Sequence, residues 1–352
     1  MHTTTALQQV LDRAVSEGGV PGILAETRRH GGVWFGTAGV ADTSTGGKRL
    51  PEHRFRIGST TKTFVATVLL QLAAEGLLGL DDTVERWLPG LVRNGSAITL
   101  RQLLNHTSGV FSHTDDQPAL SAKEGYTPTE LVAVSMAHAP LYSPGAGWNY
   151  SNTNYVLAGL VIEQATGHTL AEQLTSRITA PLALTGTYQP SPADHTIRGP
   201  HSRHYTKLFQ PDLSAPTHDA TELDHTPFWA SGDMISTAAD LTRFFHALLT
   251  GDLLPPAWQR ELLTTVPTEN WIPHAAYGLG ISSIQLPGGT VWGMGGAIFG
   301  SWSYTYGSRD GTHVVAVNIN GDWANTADTS PLSILTEAIS AEFPAPSPGS
   351  TG

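Results

Sequence analysis

The sequence predicts a mixed α/β (α+β) fold, an antiparallel sheet flanked by helices and completed from both chain ends, with an all-helical domain inserted. Three observations predict it. Two strand-like runs, 22–27 and 32–39, lie near the start of the chain, separated by the polar turn Arg28-Arg29-His30-Gly31. Four more, 277–284, 290–293, 301–306 and 313–319, follow one another near its end, with turns at Pro287-Gly288-Gly289 and Arg309-Asp310-Gly311. Between the two sets the apolar spacing is mostly helical, and Pro- and Gly-rich loops join the helices. The expected division is a discontinuous sheet domain over 1–58 and 266–343, a mainly helical domain over 59–265, and a disordered tail over 344–352. A cleft between the two domains is the expected site.

The first helix, over 5–17, has Val10, Leu11 and Val15 on one face and stops at Gly18-Gly19. Phe64, Val65, Val68, Leu69, Leu72 and Ala73 mark a helix that starts directly after Gly58-Ser59 and fades at Glu75-Gly76. Shorter helices are expected at 100–104, 128–137, 154–166 (closed by Gly167), 170–178 and 238–249. Residues 188–228, rich in Pro, His, Thr and Asp, lack periodicity and read as a long irregular segment. A helix at 331–343 closes the sheet domain, and no internal repeat is visible.

With 352 residues, 40% hydrophobic and 14% charged, the chain has the composition of a soluble enzyme with a large core. A formal charge of −11 argues against nucleic acid or an anionic membrane as partner. No apolar run approaches the length of a membrane span. The first eight residues, Met1-His2-Thr3-Thr4-Thr5-Ala6-Leu7-Gln8, lack the basic and apolar regions of an export signal, so a cytoplasmic location is expected. The absence of cysteine excludes disulfides, thiol nucleophiles and thiolate metal sites.

The chemistry is expected around Phe55-Arg56-Ile57-Gly58-Ser59-Thr60-Thr61-Lys62-Thr63-Phe64. Ser59 falls at a helix N-terminus with Lys62 one turn later on the same face. Unpaired backbone N–H groups and the positive end of the helix dipole favour developing negative charge there. A serine hydroxyl needs a base to become a nucleophile, and a desolvated lysine amine can serve. The competing reading is an N-cap serine beside a solvated lysine. A second element, Tyr150-Ser151-Asn152, precedes a helix; residues two apart on an extended turn point the same way, so both side chains can face one cleft. A phenol beside a lysine ammonium is expected to titrate low enough to exchange protons, and an amide can bind a substrate carbonyl. Alone, that pair reads equally as a buried tyrosine and a turn asparagine.

Together these motifs resemble the penicillin-binding-protein and serine β-lactamase superfamily, in its class C β-lactamase and D-alanyl-D-alanine carboxypeptidase branch. The resemblance runs from about residue 6 to 343 and includes Leu103-Leu104-Asn105-His106-Thr107-Ser108-Gly109 and the 231–245 region. It implies a β-lactamase/transpeptidase-like fold, Ser59 as nucleophile, Lys62 as its activating partner, Tyr150 as proton shuttle to the leaving group, and Asn152 orienting the substrate amide or ester. The family's Lys/His-Thr/Ser-Gly motif aligns with Met294-Gly295-Gly296, followed by Ala297. Backbone N–H groups of Ser59 and Ala297 would then form the oxyanion hole, each donor worth ~3 kcal/mol of barrier. Met294 departs from the pattern, since the family carries a cation or ionisable imidazole there to help bind a substrate carboxylate. Ile281-Ser282-Ser283 is likewise neutral where related carboxypeptidases carry arginine. Two lost charge-assisted hydrogen bonds would cost on the order of 3–6 kcal/mol, which disfavours a free-carboxylate substrate.

The expected function is therefore a serine-dependent acyl-transfer enzyme, a hydrolase of esters or amides or a transacylase, working through an acyl-Ser59 intermediate on a small-molecule or peptide substrate. The rivals are a D-alanyl-D-alanine carboxypeptidase or β-lactamase, and a non-catalytic ligand-binding homologue. No cofactor and no metal is expected. His201, His204, His218, Asp219, Asp224 and His225 lie in the irregular segment without a helix to align two imidazoles, and read as loop or cleft-rim residues. His106 is expected to bond nearby backbone. Tryptophans 148, 229, 271, 292 and 302 are candidate cleft walls, none of them catalytic.

Overall fold

The computed structural model describes residues 2–29, 32–210, 214–323 and 325–345. His30 and Gly31 of the first expected turn, and all but two residues of the expected tail, lie outside them. Nine strands, β1 (Gly22–Arg29), β2 (Gly32–Asp42), β3 (Gly47–Lys48), β4 (Val266–Pro267), β5 (Ala275–Tyr277), β6 (Ser282–Leu286), β7 (Gly289–Ile298), β8 (Ser301–Ser308) and β9 (His313–Ile319), form one sheet. Its order is β3-β2-β1-β9-β8-β7-β6-β5-β4. The two ends of the chain meet where β1 and β9 pair antiparallel, from Ile23 opposite Ile319 to Arg29 opposite His313.

Strand β9 shows how the layers arise. Its side chains alternate between the faces of the sheet, and both faces are covered. Val315, Val317 and Ile319 join one core with Leu7, Val10, Leu11 and Ala14 of helix α1 (His2–Ser16). Of the remaining helices, α2 spans Thr61–Ala74, α3 Asn152–Thr166, α4 Ala238–Thr250 and α5 Pro331–Glu342. Ile334, Leu335, Ala338 and Ile339 of α5 complete that first core. Val314 and Ala316 face the other way, into a larger core with Leu241, Phe244 and Phe245 of α4 and the buried residues of α2 and α3. Among the described residues no helix is long and apolar enough to cross a membrane.

Several boundaries differ from expectation, each for a local reason. The run 277–284 is two strands, because Gly280 takes a left-handed φ of +78° and breaks it between Tyr277 and Ser282. Strand β7 extends to Ile298, well past the expected 293; Gly293, Gly295 and Gly296 lower its apparent strand propensity without ending it. Helix α3 begins at Asn152, two residues early, and the helix expected to 178 is α-helical only over Leu170–Leu174 before a π-turn at Thr175–Thr179. Residues 188–228 include a two-stranded ribbon that pairs Tyr205 with Asp219 and Thr206 with His218. His204 and His225 are buried there, not on a cleft rim.

Buried neutral histidines give the fold an acid sensitivity. His113 is enclosed between Thr153 Oγ1 at 3.0 Å and the Pro227 carbonyl at 2.8 Å, and burial pushes its pKa down to about 4. Burial holds His106 and His204 well below the ordinary imidazole range too. Unfolded imidazoles bind protons near pH 6.5 while these stay neutral, so their stabilisation is complete above that pH. As pH falls from about 6.5 toward 4, each costs up to ~1.4 kcal/mol per pH unit. The denaturation midpoint is expected to fall between pH 7.5 and 5.0, and to fall less in His113→Gln; equal slopes would remove His113 from this account.

Candidate active site

Helix α2 is apolar almost all round and buried along most of its length, which fixes what precedes it. Gly58–Thr60 forms a 3₁₀ turn leading into α2 at Thr61, and neither the turn nor α2 has a side-chain cap. The capping role for Ser59 is thus overturned, as is the solvated lysine: Lys62 is fully buried. Its Nζ lies 3.0 Å from Ser59 Oγ and donates to the Ser231 carbonyl at 2.6 Å. Around it pack the rings of Tyr150 and Tyr155, with centroids 4.8 and 5.6 Å from Nζ. Desolvation, with no carboxylate to offset it, holds the Lys62 amine well below its ordinary range. Burial thus favours the unprotonated amine, the form with a lone pair to offer.

Strand β7 supplies the opposite wall. Its residues 289–293 pair with β6, while 294–298 run on beyond that strand and pass the Ser59 turn backbone to backbone. Two glycines permit this. Gly58 has φ +50°, and a Cβ there would sit 2.7 Å from the Ala297 nitrogen; a Cβ on Gly296 would sit 1.9 Å from the Ile57 oxygen. The same close approach brings the Ser59 and Ala297 amides to one place.

Tyr150 reaches this point from the segment before α3. His106, in a left-handed conformation with φ +64°, accepts from Asn149 N at 3.1 Å with its carbonyl and places its ring 4.3 Å from that of Tyr150. Its Nδ1 lies 3.2 Å from Ser151 N, the backbone bond expected of it. Tyr150 is half-buried and lines the cleft, but its hydroxyl is buried without a partner at full hydrogen-bonding geometry. Burial pushes the phenol above its ordinary value, and the Ser59 hydroxyl draws it only part-way back. The expected low-titrating phenol is thus corrected. Lys62 faces the ring of Tyr150 rather than its oxygen, and burial dominates.

A cleft of about 250 Å³ opens here, lined by Ser59, Tyr150, Met294, Gly295, Gly296 and Ala297 together with Trp271, Ile272, Trp302, Tyr304 and Leu332. No lining residue is charged. Five of these residues were not singled out by motif; Trp271 and Trp302 could be named only as possible walls, and nothing in the sequence marks Ile272, Tyr304 or Leu332. Asn152 is not in this lining. Its Nδ2 donates to Thr114 Oγ1 at 2.8 Å. Ser282 faces the core, bonded to the Gly293 carbonyl at 2.9 Å and Tyr306 at 2.8 Å, so it is no part of the cleft wall. The arrangement can bring a hydroxyl, a desolvated amine, a protonated phenol and two backbone amides to one carbonyl group.

Comparison with known proteins places the chain. The Beta-lactamase family model matches residues 7–333. The crystal structure of a D-stereospecific amidohydrolase from Streptomyces sp. is 45% identical, covers 97% of this chain and 98% of its own, and superposes with a TM-score of 0.87. A D-amino acid amidase from Ochrobactrum anthropi SV3, complexed with L-phenylalanine amide, is 28% identical over 96% of this chain and 99% of its own, with a TM-score of 0.86. Among curated proteins, penicillin-binding protein 4* of Bacillus subtilis (strain 168) is 30% identical over 231 residues, 61% of this chain and 49% of the relative. Esterase EstB of Burkholderia gladioli is 34% identical over 196 residues, 51% of this chain and 49% of the relative. The chain spans about half the length of these curated relatives. It belongs to the beta-lactamase family, in the company of esterases, amidases and penicillin-binding proteins.

Proposed function

We propose that this chain is a serine acyl-transfer hydrolase that cleaves amides and esters without a free carboxylate, D-aminoacyl amides among them, through an acyl-Ser59 intermediate. The observation that carries the reading is the fully buried, carboxylate-free Lys62 amine 3.0 Å from Ser59 Oγ. Lys62, whose unprotonated form burial favours, takes the hydroxyl proton as Ser59 Oγ attacks the substrate carbonyl carbon. The Ser59 and Ala297 amides donate to the oxygen that becomes negative. As the tetrahedral adduct collapses, the Tyr150 phenol gives its proton to the departing nitrogen or oxygen and recovers one from the Lys62 ammonium. Water then attacks the acyl-enzyme, with the proton moving the opposite way. The D-aminoacyl substrate class rests on the amidohydrolase and amidase relatives, which align over nearly their whole length.

A cleft without a charged lining residue disfavours a free carboxylate, which would have to be desolvated unpaired there. Met294, only 1% exposed, aligns with the residue for which the family resemblance implies a cation. The test is kcat/KM on a D-alanyl-D-alanine peptide against its methyl ester and amide. Wild type is expected to prefer the neutral forms, and Met294→His to recover part of the preference for the free acid. A wild-type preference for the free acid of about tenfold or more, ~1.4 kcal/mol, would contradict this and favour a carboxypeptidase.

A further inference from the structure

We propose that His106 is the positioning residue for Tyr150: as a neutral imidazole with its proton on Nε2, it grips the chain on both sides of the tyrosine and packs on its ring, and so aims the phenol at the departing group. The proposal rests on the role of Tyr150 given above. His106 is absent from the cleft lining, and its Nε2 is buried without a hydrogen-bond partner. It therefore touches no substrate and acts through Tyr150. The grip uses two acceptors of one residue. The His106 carbonyl accepts from Asn149 N at 3.1 Å, and Nδ1 accepts from Ser151 N at 3.2 Å. These are the residues immediately before and after Tyr150. Between the two bonds the imidazole lies against the Tyr150 ring, with centroids 4.3 Å apart and planes at 36°. His106 holds this place fully buried and with a left-handed φ of +64°, a conformation costly for a residue with a side chain and kept only where the surroundings impose it.

The tautomer follows from the donors around the ring. A backbone N–H can only donate, so Nδ1 carries a lone pair toward Ser151. Asn154 Nδ2 also donates to Nδ1, at 3.2 Å. Ser108 orients that amide: its hydroxyl accepts from Val110 N at 3.1 Å and donates to Asn154 Oδ1 at 2.6 Å, which turns Nδ2 toward His106. With two donors facing Nδ1, the proton of the neutral ring sits on Nε2, and a proton on Nδ1 would break both bonds. Burial, with the Lys62 amine nearby, favours the neutral ring as well. The Tyr277 ring closes the other side, edge-on at 4.7 Å. Tyr150 needs such a clamp because its hydroxyl has no partner at full hydrogen-bonding geometry to hold it. Its aim is set by its ring and its backbone, and His106 holds both. Removing the acceptor would strand the buried Ser151 N–H, and the segment carrying the phenol would shift to satisfy it.

Glycine and asparagine both tolerate a left-handed φ, so two variants probe the clamp without straining the backbone. His106→Gly removes ring and acceptor; His106→Asn returns a carbonyl oxygen near the place of Nδ1. The substrates are D-phenylalanine amide and the p-nitrophenyl ester of D-phenylalanine, which share an acyl group. His106→Gly is expected to lower kcat on the amide by about tenfold or more, the scale of a misplaced catalytic group. Its loss on the ester should stay below about threefold, since that leaving group needs little protonation. His106→Asn should recover most of the loss on the amide. In a Tyr150→Phe background, His106→Gly should cost less than about twofold more on the amide, because both changes act on one proton transfer. No difference between amide and ester in Tyr150→Phe overturns the role of Tyr150, and the clamp with it. A difference there, but equal losses on both substrates in His106→Gly, overturns the clamp alone. Losses that multiply in the double variant, or a His106→Asn as impaired as His106→Gly, do the same. Imidazole ¹⁵N NMR of wild type, with the His106 signals identified by their absence from His106→Asn, is expected to show Nε2 protonated and Nδ1 bare. A proton on Nδ1 overturns the clamp whether or not His106→Gly folds.

Discussion

Ser59→Ala is expected to lower kcat/KM on a p-nitrophenyl acyl ester by roughly 10⁴-fold or more, leaving only what binding and backbone donors contribute. The side chain makes no cap and has Lys62 as its hydrogen-bond partner, so its loss leaves α2 and the denaturation midpoint nearly unchanged. Lys62→Met keeps the length and apolar stem of the side chain in its buried slot while removing the base. It should cost nearly as much activity, about 10³-fold or more, because nucleophile and base act as a unit. Stability should suffer somewhat more than in Ser59→Ala, since the Ser231 carbonyl loses its donor. Near wild-type rates in either variant, measured by p-nitrophenolate release, would remove the pair from the mechanism.

Tyr150→Phe should separate leaving groups. A phenol kept protonated by burial is a donor, so its removal should slow amide cleavage by about 10²–10⁴-fold, the usual range for general acid catalysis. A p-nitrophenolate needs little protonation to depart, and the same variant should lose less than about tenfold on the activated ester. The ring is kept, with its contacts to His106 and Trp271, so packing alone predicts no such split. Equal losses on matched amide and ester substrates would assign Tyr150 a packing role instead.

The family, the fold and the position of the Ser59 turn before a helix were legible in the sequence because the motifs are short and local. Ser59 and Lys62 lie one helical turn apart, and the apolar pattern beginning at Phe64 places them at the start of a buried helix. What the pattern could not show was the degree of burial. The same spacing suits a solvated lysine, and only the packing of Tyr150 and Tyr155 around Nζ reveals a desolvated amine. The sign of the Tyr150 shift failed for the same reason: spacing gives proximity, but desolvation depends on what covers the oxygen. Strand β7 was read too short because its glycines look like strand breakers, when they are what admits the Ser59 turn. Trp271, Tyr304 and Leu332 reach the cleft from separate elements, with no periodic signal linking them.

The central claim is a covalent acyl group on Ser59. Acid-quenched intact mass after seconds of mixing with a p-nitrophenyl acyl ester, followed by peptide mapping, tests it most directly. The account predicts a single added acyl mass, located on the peptide containing Ser59, lost with time in wild type and never formed in Ser59→Ala. Turnover of the ester with no adduct at Ser59 under any quench time, or an equal adduct in Ser59→Ala, would contradict it.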